Sequence, residues 1–389
     1  MKYVVCVPDG AADEPLAELD GRTPLEAADL PTFAALARRG EVGRAATIPD
    51  GLPPGSDVGN MSILGYDPAR YHTGRAPIEA AAMGLTLAPG QVAFRTNLVT
   101  LGADGTMVDF AGGHPSTEAA AEVLAALDAA LGGPARAGGD DLHFHAGVQY
   151  RHLLLAPASW ADAECTPPHD LTGRPALWPT GPAAPQLTAL MEASRAVVGA
   201  SGLAANQVWF WGQGSAPGLP SFRDTYGLDA ALVSAVDVVR GLGALTGIRR
   251  VAVEGATGWY DTNYEGKRDA ALATLADGAD LFVIHVEASD EAGHAGDVGA
   301  KVTALEDWDR RILAPLVEGL DQLGPWRLLL LPDHATPLAL RTHTADPVPY
   351  LLVDSAEAGP GGVYTERAVA GSPPVPGHEL MARLVSGVR

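Results

Sequence analysis

The chain has 389 residues, of which 47% are hydrophobic and 19% are charged, and its formal net charge is -21. This length allows a large domain and a smaller one, and the composition is typical of a globular protein. The acidic excess argues against nucleic-acid or anionic-membrane partners, because these require a basic surface. No apolar run reaches transmembrane length and the first residues do not resemble a signal peptide. We therefore expect a cytoplasmic enzyme whose two cysteines, Cys6 and Cys165, stay reduced.

Continuous apolar runs alternate with alanine- and leucine-rich helical stretches along much of the chain. Runs without polar alternation are typical of strands buried on both faces, as in a parallel sheet. Helices between such strands indicate a doubly wound α/β fold with a mainly parallel sheet. The predicted strands are residues 2–7, 250–253, 281–286, 328–331 and 349–353, and the clearest helices are residues 31–39 and 298–317.

The middle of the chain has a different pattern. Residues 91–178 contain short alternating strands around one helix, residues 116–131, which predicts a small α+β domain inserted into the main sheet. Connections rich in proline and glycine at residues 88–90 and 178–185 would act as its hinges. The predicted division is a core of residues 1–90 and 179–389 with an inserted cap of residues 91–178.

Seven side chains of metal-ligand type stand near the ends of predicted strands or the start of a helix. Ligands of α/β proteins gather beyond the carboxyl ends of the strands, so these side chains are expected to converge. Mixed oxygen and nitrogen donors without a thiolate favour manganese, zinc or magnesium. The seven residues are Asp9, Ser56, Asp290, His294, Asp333, His334 and His343.

The local sequence supports metal binding to a different extent at each of these residues, and each residue also has a simpler structural explanation. Asp290 and His294 are four residues apart, so one helical turn places both on one face. The adjacent Asp333 and His334 follow a buried strand, where a metal or a core ion pair would satisfy them. Asp9 could belong to a plain turn, and His343 gains weight only as a member of the set.

Ser56 is the most informative member, because a hydroxyl among metal ligands can become a phosphoryl acceptor. It stands in the segment PPGSDVGN, at the expected start of a helix. The simpler alternative is that Ser56 or Asp57 caps this helix. The amides of a helix N-terminus would also favour a phosphate on the hydroxyl.

Long motifs carry a resemblance over nearly the whole chain. PDGAADEP, PPGSDVGNMSILGYDP, YHTGRAPIEAA, VEASDEAGHAGD and LPDHATPLALRTHTADPVPYL resemble the archaeal-type 2,3-bisphosphoglycerate-independent phosphoglycerate mutases of the alkaline phosphatase superfamily. The resemblance implies a glycolytic and gluconeogenic enzyme that interconverts 3- and 2-phosphoglycerate without added 2,3-bisphosphoglycerate. It implies two divalent metal ions, manganese first, one held by Asp9, Ser56, Asp333 and His334 and the other by Asp290, His294 and His343. Ser56 would become phosphoserine.

In this reading, the inserted domain serves as a lid that excludes water and presents cations to the substrate carboxylate. The candidates are Arg75, His114 and Arg151, whose simpler alternatives are surface arginines and a turn histidine. Lys267, one of only three lysines in the chain, would contact the phosphoryl group, and Asp170 would be the general base.

The same residues allow two other kinds of function. A metal-dependent phosphatase or a small-molecule phosphotransferase, such as a homoserine kinase-like enzyme, would use the same metals and serine on another compound. A non-catalytic metal-binding scaffold would keep the fold, but it would be expected to lose the serine or a ligand.

Overall fold

The computed structural model describes residues 1–133 and 141–387. The chain divides into a core unit, Met1–His72 with Leu219–Arg389, and an inserted unit, Thr73–Gly218. In the described part of the chain, no helix has the length and apolar character needed to cross a membrane.

The strands alternate with helices through most of the core unit, as the sequence predicts. The strands are β1 (Lys2–Pro8), β2 (Glu41–Ala46), β3 (Gln91–Leu101), β4 (Met107–Asp109), β5 (His143–Val148), β6 (Arg151–Pro157), β7 (Gln207–Gly214), β8 (Ala230–Val233), β9 (Arg249–Arg250), β10 (Leu281–Val286), β11 (Trp326–Leu330), β12 (Val348–Asp354) and β13 (Val375–Pro376).

The helices, most of them short, have the following bounds. They are α1 (Pro24–Ala27), α2 (Pro31–Ala37), α3 (Ser56–Ile63), α4 (Pro68–Tyr71), α5 (Arg75–Ala82), α6 (Thr117–Leu131), α7 (Ala184–Gly199), α8 (Phe222–Tyr226), α9 (Asp237–Thr246), α10 (Tyr264–Ala276), α11 (Ala288–Ala295), α12 (Val298–Asp307), α13 (Ala314–Leu323), α14 (Glu366–Val369) and α15 (Leu380–Ser386).

The sheet of the core unit has the order β13-β2-β12-β11-β1-β10-β8-β9. Its centre is parallel, with β1 between β10 and β11, so that Val4 pairs with Phe282 on one side and Leu328 on the other. These three side chains are completely buried, which explains why the central strands show no polar alternation. The predicted α/β class with a mainly parallel sheet is therefore confirmed.

Two predicted strands differ from the observed ones. The run at residues 349–353 lies in β12, which is antiparallel to β11, because an apolar run carries no information about strand direction. Of the run at residues 250–253, only Arg250 lies in a strand, as the second residue of the two-residue strand β9.

The helix predicted at residues 298–317 is divided. A π-helical segment, Trp308–Leu313, separates α12 from α13. Pro315 lies in the first turn of α13 and has no amide to donate to the carbonyl of Arg311. That carbonyl instead accepts a hydrogen bond of 3.0 Å from Arg268, so the wider turn leaves no backbone acceptor unsatisfied at this point.

The inserted unit is an antiparallel sheet in which β3 pairs with β6, β4 and β7. Its bounds correct the predicted cap of residues 91–178. Strand β7 pairs with β3, with Gln207 opposite Val99 at one end and Gly214 opposite Ala93 at the other. Its residues Val208, Trp209 and Phe210 are buried in the core of this unit. Helix α5 also belongs to it, because Ala76 and Ala80 pack with Ala93 of β3.

Candidate active site

The first cluster of ligand-type side chains lies where β1 and β11 end. Because these strands are parallel neighbours, Asp9 after β1 meets Asp333 and His334 after β11 at one edge of the sheet. His334 Nε2 lies 3.6 Å from Asp9 Oδ1 and 3.5 Å from Asp333 Oδ2. All three side chains are buried, and their potential ligand atoms lie within 4.8 Å of one another.

Ser56 faces this cluster from the first turn of α3. Gly55 occupies the N-cap position, so the alternative that Ser56 or Asp57 caps the helix is wrong. The Ser56 hydroxyl instead lies 3.2 Å from His334 Nε2.

Two further residues of α3 fix the helix against Asp333. Asn60, one turn after Ser56, donates a hydrogen bond of 2.7 Å from its side-chain amide to Asp333 Oδ2. A Cβ atom at Gly59 would lie 2.3 Å from the Asp333 carbonyl, so glycine allows this close approach. The helix therefore holds the Ser56 hydroxyl and the Asp333 carboxylate in one site.

The second cluster lies at the end of β10. Helix α11 follows that strand and carries Asp290 and His294 on one face, as their spacing predicts, and His343 joins them from the segment after β11. Asp290 Oδ2 lies 3.3 Å from His294 Nε2, and Asp290 Oδ1 lies 3.5 Å from His343 Nε2. All seven ligand-type side chains predicted from the sequence thus lie in the core unit, in two groups of three with Ser56 beside the first.

The donor atoms of both clusters fit divalent cations. In the neutral form of His294, Nδ1 donates to the Arg341 carbonyl at 3.0 Å, which leaves a lone pair on its Nε2. That lone pair faces His343 Nε2 at 2.9 Å. Within the described residues, neither buried carboxylate oxygen of Asp9 has a hydrogen bond of normal geometry, although His285 Nε2 lies 3.1 Å from its Oδ2. A cation at each cluster would satisfy these atoms, whereas an Asp333–His334 ion pair alone would leave Asp9 unsatisfied.

The pKa values of several residues in the two clusters are strongly shifted. Burial, and then the charges of Asp333 and Asp290, raise the pKa of Asp9 well above its usual value. Burial would also raise the pKa of Asp290, but hydrogen bonds from His294 and His343 hold it well below the usual value. Burial lowers the pKa of His294, but Asp290 outweighs it and raises that pKa to about 9. Clustered and opposite pKa shifts of this kind are typical of functional sites.

A second layer of side chains surrounds the first cluster. His285, completely buried in β10, places Nε2 3.1 Å from Asp9 Oδ2, and its Nδ1 lies 3.1 Å from the Ser234 hydroxyl. Lys267 is also buried, and its ammonium group donates to the His285 carbonyl at 3.1 Å. Burial lowers the pKa of Lys267 to about 8, against the opposing effect of Glu287. Lys267 therefore lies beside the strand that leads to the second cluster.

In the inserted unit, the predicted residues Arg75 and Arg151 both interact with Glu79. The partly buried Glu79 carboxylate accepts from Arg75 at 2.9 Å and from Arg95 at 2.8 Å. Burial would raise the pKa of Glu79, but Arg95, Arg75 and Arg151 together lower it. Arg151 lies over the ring of Tyr150, 5.5 Å from its centroid.

The two remaining predicted residues of this unit differ in their surroundings. The His114 ring is 5.4 Å from the Tyr150 ring, edge to face, which places His114 near Arg151. The Asp170 side chain is 61% exposed and lies 3.7 Å from His169. Arg75, His114 and Arg151 are thus linked through Glu79 and Tyr150, whereas the Asp170 carboxylate contacts its neighbour in the chain.

Within each unit, several residues that contact the predicted ones were not identified from the sequence. Arg95 had a usable signal, since it is a charged residue inside the apolar run of β3. Asn60 had a weaker one, its spacing of four residues from Ser56. Glu79 and His285 had none, because their contacts join separate elements.

The chain is similar to known proteins over nearly its whole length. A family model described as 2,3-bisphosphoglycerate-independent phosphoglycerate mutase matches residues 37–202. A probable 2,3-bisphosphoglycerate-independent phosphoglycerate mutase from Geobacter sulfurreducens is 45% identical over 95% of each chain. The 2,3-bisphosphoglycerate-independent phosphoglycerate mutase of Methanothrix thermoacetophila is 44% identical over 100% of each chain.

Solved structures agree with these relatives. A Pyrococcus horikoshii protein matches with a TM-score of 0.80 and 26% identity, over 99% of this chain and 96% of that one. The cofactor-independent phosphoglycerate mutase from Thermoplasma acidophilum matches with a TM-score of 0.65 and 26% identity, over 99% of each chain. The chain therefore belongs to the 2,3-bisphosphoglycerate-independent phosphoglycerate mutase family.

Proposed function

We propose that this chain is a metal-dependent phosphoglycerate mutase that interconverts 3- and 2-phosphoglycerate through a phosphoserine at Ser56. The observation that carries the proposal is the Ser56 hydroxyl, 3.2 Å from His334 Nε2 and beside the Asp9–Asp333–His334 cluster. The names of the relatives support the substrate class. We place the reaction in glycolysis and gluconeogenesis in the cytoplasm, with no requirement for added 2,3-bisphosphoglycerate.

Each cluster would hold one divalent cation, with manganese as the expected ion. Asp9, Asp333 and His334 with Ser56 would form one site, and Asp290, His294 and His343 the other. Bound cations would supply the positive charge that lowers the pKa of the serine hydroxyl and stabilises the phosphoryl oxygens.

The serine carries the phosphoryl group between the two hydroxyls of the substrate. In the first half of the reaction Ser56 Oγ loses its proton and forms a bond to phosphorus, the ester bond to glycerate breaks, and the glycerate oxygen takes up a proton. In the second half the other glycerate hydroxyl loses its proton and attacks the phosphoserine, the bond between phosphorus and Ser56 Oγ breaks, and Ser56 Oγ regains a proton. We assign Asp170 as the base for this second proton. The first turn of α3, which begins at Ser56, favours the phosphate through its amides.

The remaining proposed roles concern binding and the exclusion of water. We assign Arg75, His114 and Arg151 of the inserted unit to the substrate carboxylate, and the inserted unit itself to the exclusion of water while glycerate reorients. Glu79 holds the Arg75 guanidinium at 2.9 Å, which limits its rotation. Charged Lys267 would contact the phosphoryl group.

Product analysis tests this proposal against a phosphatase or another phosphotransferase. The chain is incubated with 3-phosphoglycerate and Mn²⁺, quenched with a chelator, and its products are separated and measured. We expect 2-phosphoglycerate with little inorganic phosphate, and no reaction with Asp290→Asn. Dominant phosphate release would identify a phosphatase, and transfer only to an added alcohol such as homoserine would identify a different phosphotransferase.

A further inference from the structure

Thr336 lies between the two clusters and is completely buried. Its hydroxyl oxygen is 2.5 Å from Asp290 Oδ1, in the second cluster, and 3.2 Å from His334 Nδ1, in the first. One hydroxyl thus contacts a ligand-type residue of each cluster.

Counting protons fixes the direction of both hydrogen bonds. A carboxylate can only accept, so the single proton of the Thr336 hydroxyl is donated to Asp290. The hydroxyl oxygen can then only accept from His334, which requires a proton on His334 Nδ1. The His334 Nε2 lone pair is left free, and this is the nitrogen that lies 3.2 Å from the Ser56 hydroxyl.

The surroundings hold the Thr336 side chain in this orientation. A Cβ atom at Gly10 would lie 2.5 Å from the Thr336 hydroxyl oxygen, and one at Gly293 would lie 2.7 Å from its methyl carbon. On the backbone side, the completely buried Lys301 donates to the Thr336 carbonyl at 2.8 Å and to Asp13 at 2.7 Å. The two glycines and the lysine leave little room for another rotamer.

We propose that Thr336 is a positioning residue that fixes the Nδ1–H tautomer of His334 and aligns Asp290, so that one hydroxyl supports cation binding at both clusters. The inference rests on the proposed two-metal site but not on the identity of the substrate. Mutation of a hydrogen-bond partner that orients a metal ligand typically lowers metal affinity by roughly 10- to 100-fold.

The first experiment compares Thr336→Val with Thr336→Ser in calorimetric titrations with Mn²⁺. Valine keeps the shape and removes the hydroxyl, so we expect affinity at both sites to fall by roughly 10- to 100-fold. Serine keeps the hydroxyl and should recover most of that loss. Thr246→Val is the matched control, because Thr246 is a buried threonine of α9 that donates to the Leu242 carbonyl at 2.7 Å. It should bind Mn²⁺ as the unmodified chain does.

A second experiment reads the tautomer directly, without activity. Nitrogen-15 NMR of histidine-labelled protein, with Mg²⁺ and without it, identifies the His334 signals by their loss in His334→Gln. We expect the proton on Nδ1 in the unmodified chain and in Thr336→Ser.

Two results would overturn the inference: equal Mn²⁺ affinities for the unmodified chain and Thr336→Val, or an unprotonated Nδ1 in the unmodified chain. If Thr336→Val does not fold, the NMR measurement on the unmodified chain decides. Failure of the proposed function is recognised separately, because a chain that makes no 2-phosphoglycerate can still show the expected titrations and tautomer.

Discussion

Ser56 lies in the same buried helix as Ser62. Ser56 is the proposed nucleophile, whereas Ser62 makes a structural hydrogen bond, so variants of the two serines distinguish a loss of catalysis from a loss of stability. The Ser56 hydroxyl faces His334 Nε2, whereas the Ser62 hydroxyl donates to the Thr47 carbonyl at 2.6 Å. If Ser56 carries the phosphoryl group, Ser56→Ala should lower kcat by roughly a thousand-fold or more, because no other group replaces a covalent nucleophile. Rapid-quench kinetics with 3-phosphoglycerate measures this loss, and calorimetry should show Mn²⁺ binding weakened but retained.

Ser62→Ala is the control for that measurement. Loss of its buried hydrogen bond should cost about 1 kcal/mol of stability, seen in urea unfolding, while kcat stays near that of the unmodified chain. Turnover by Ser56→Ala at more than a few per cent of the normal rate would exclude the covalent route.

The convergence of the proposed ligand residues could be predicted from the sequence, whereas the residues that contact them could not. Asp9 and Asp333 each follow an apolar strand, and the ends of parallel neighbours coincide, so local sequence was enough to place them together. Thr336 donates a hydrogen bond to Asp290, and His285 Nε2 lies 3.1 Å from Asp9 Oδ2, so both residues contact side chains that are distant in sequence. A buried threonine or histidine has the same local pattern whether or not such a partner exists.

At the scale of elements, sequence patterns identified most strands but not how they associate. Hydrophobicity shows that β12 is buried but does not show that it runs antiparallel to β11. Strand β7 was missed as part of the inserted unit, because α7 and a proline-rich connection separate it from the strands before it. Its pairing with β3 spans more than a hundred residues of sequence, beyond the reach of any local pattern.

The observed bounds of the inserted unit predict which fragment folds. A fragment of residues 73–218 keeps β7 and α7, and we expect one cooperative urea transition and a dispersed NMR spectrum. A fragment of residues 91–178 exposes the β3 edge and loses buried Trp209 and Phe210, each contributing roughly 1.5–3 kcal/mol. We expect it to be unfolded or aggregated. Cooperative folding of the shorter fragment would show that β7 is dispensable and that the boundary lies at residue 178.

At the scale of the whole molecule, a net charge of -21 and buried carboxylates at both clusters lead us to expect that stability depends on bound cations. In the metal-free protein, His294 partly offsets this charge, because Asp290 raises its pKa to about 9 despite the opposing effect of burial. A pKa raised above the unfolded value stabilises the folded state below about pH 6.5, and this contribution is lost as the pH rises through about 9. A cation held at the second cluster would bind the neutral imidazole and so replace that contribution.

The difference in Tm between the Mg²⁺-saturated and the chelator-treated protein should therefore widen between pH 6.5 and pH 9.5. For a protein of this size we expect the increase to be on the order of several degrees. Scanning calorimetry of both forms across this range measures it. Burial and then the charge of Asp290 raise the pKa of Glu287 to about 8, so this group titrates in the same range and only the comparison with His294→Gln isolates the imidazole. His294→Gln should show a smaller difference that changes less with pH, because the variant lacks both the titrating imidazole and the ligand. A difference in the unmodified chain that is independent of pH would mean that the imidazole of His294 is not a cation ligand.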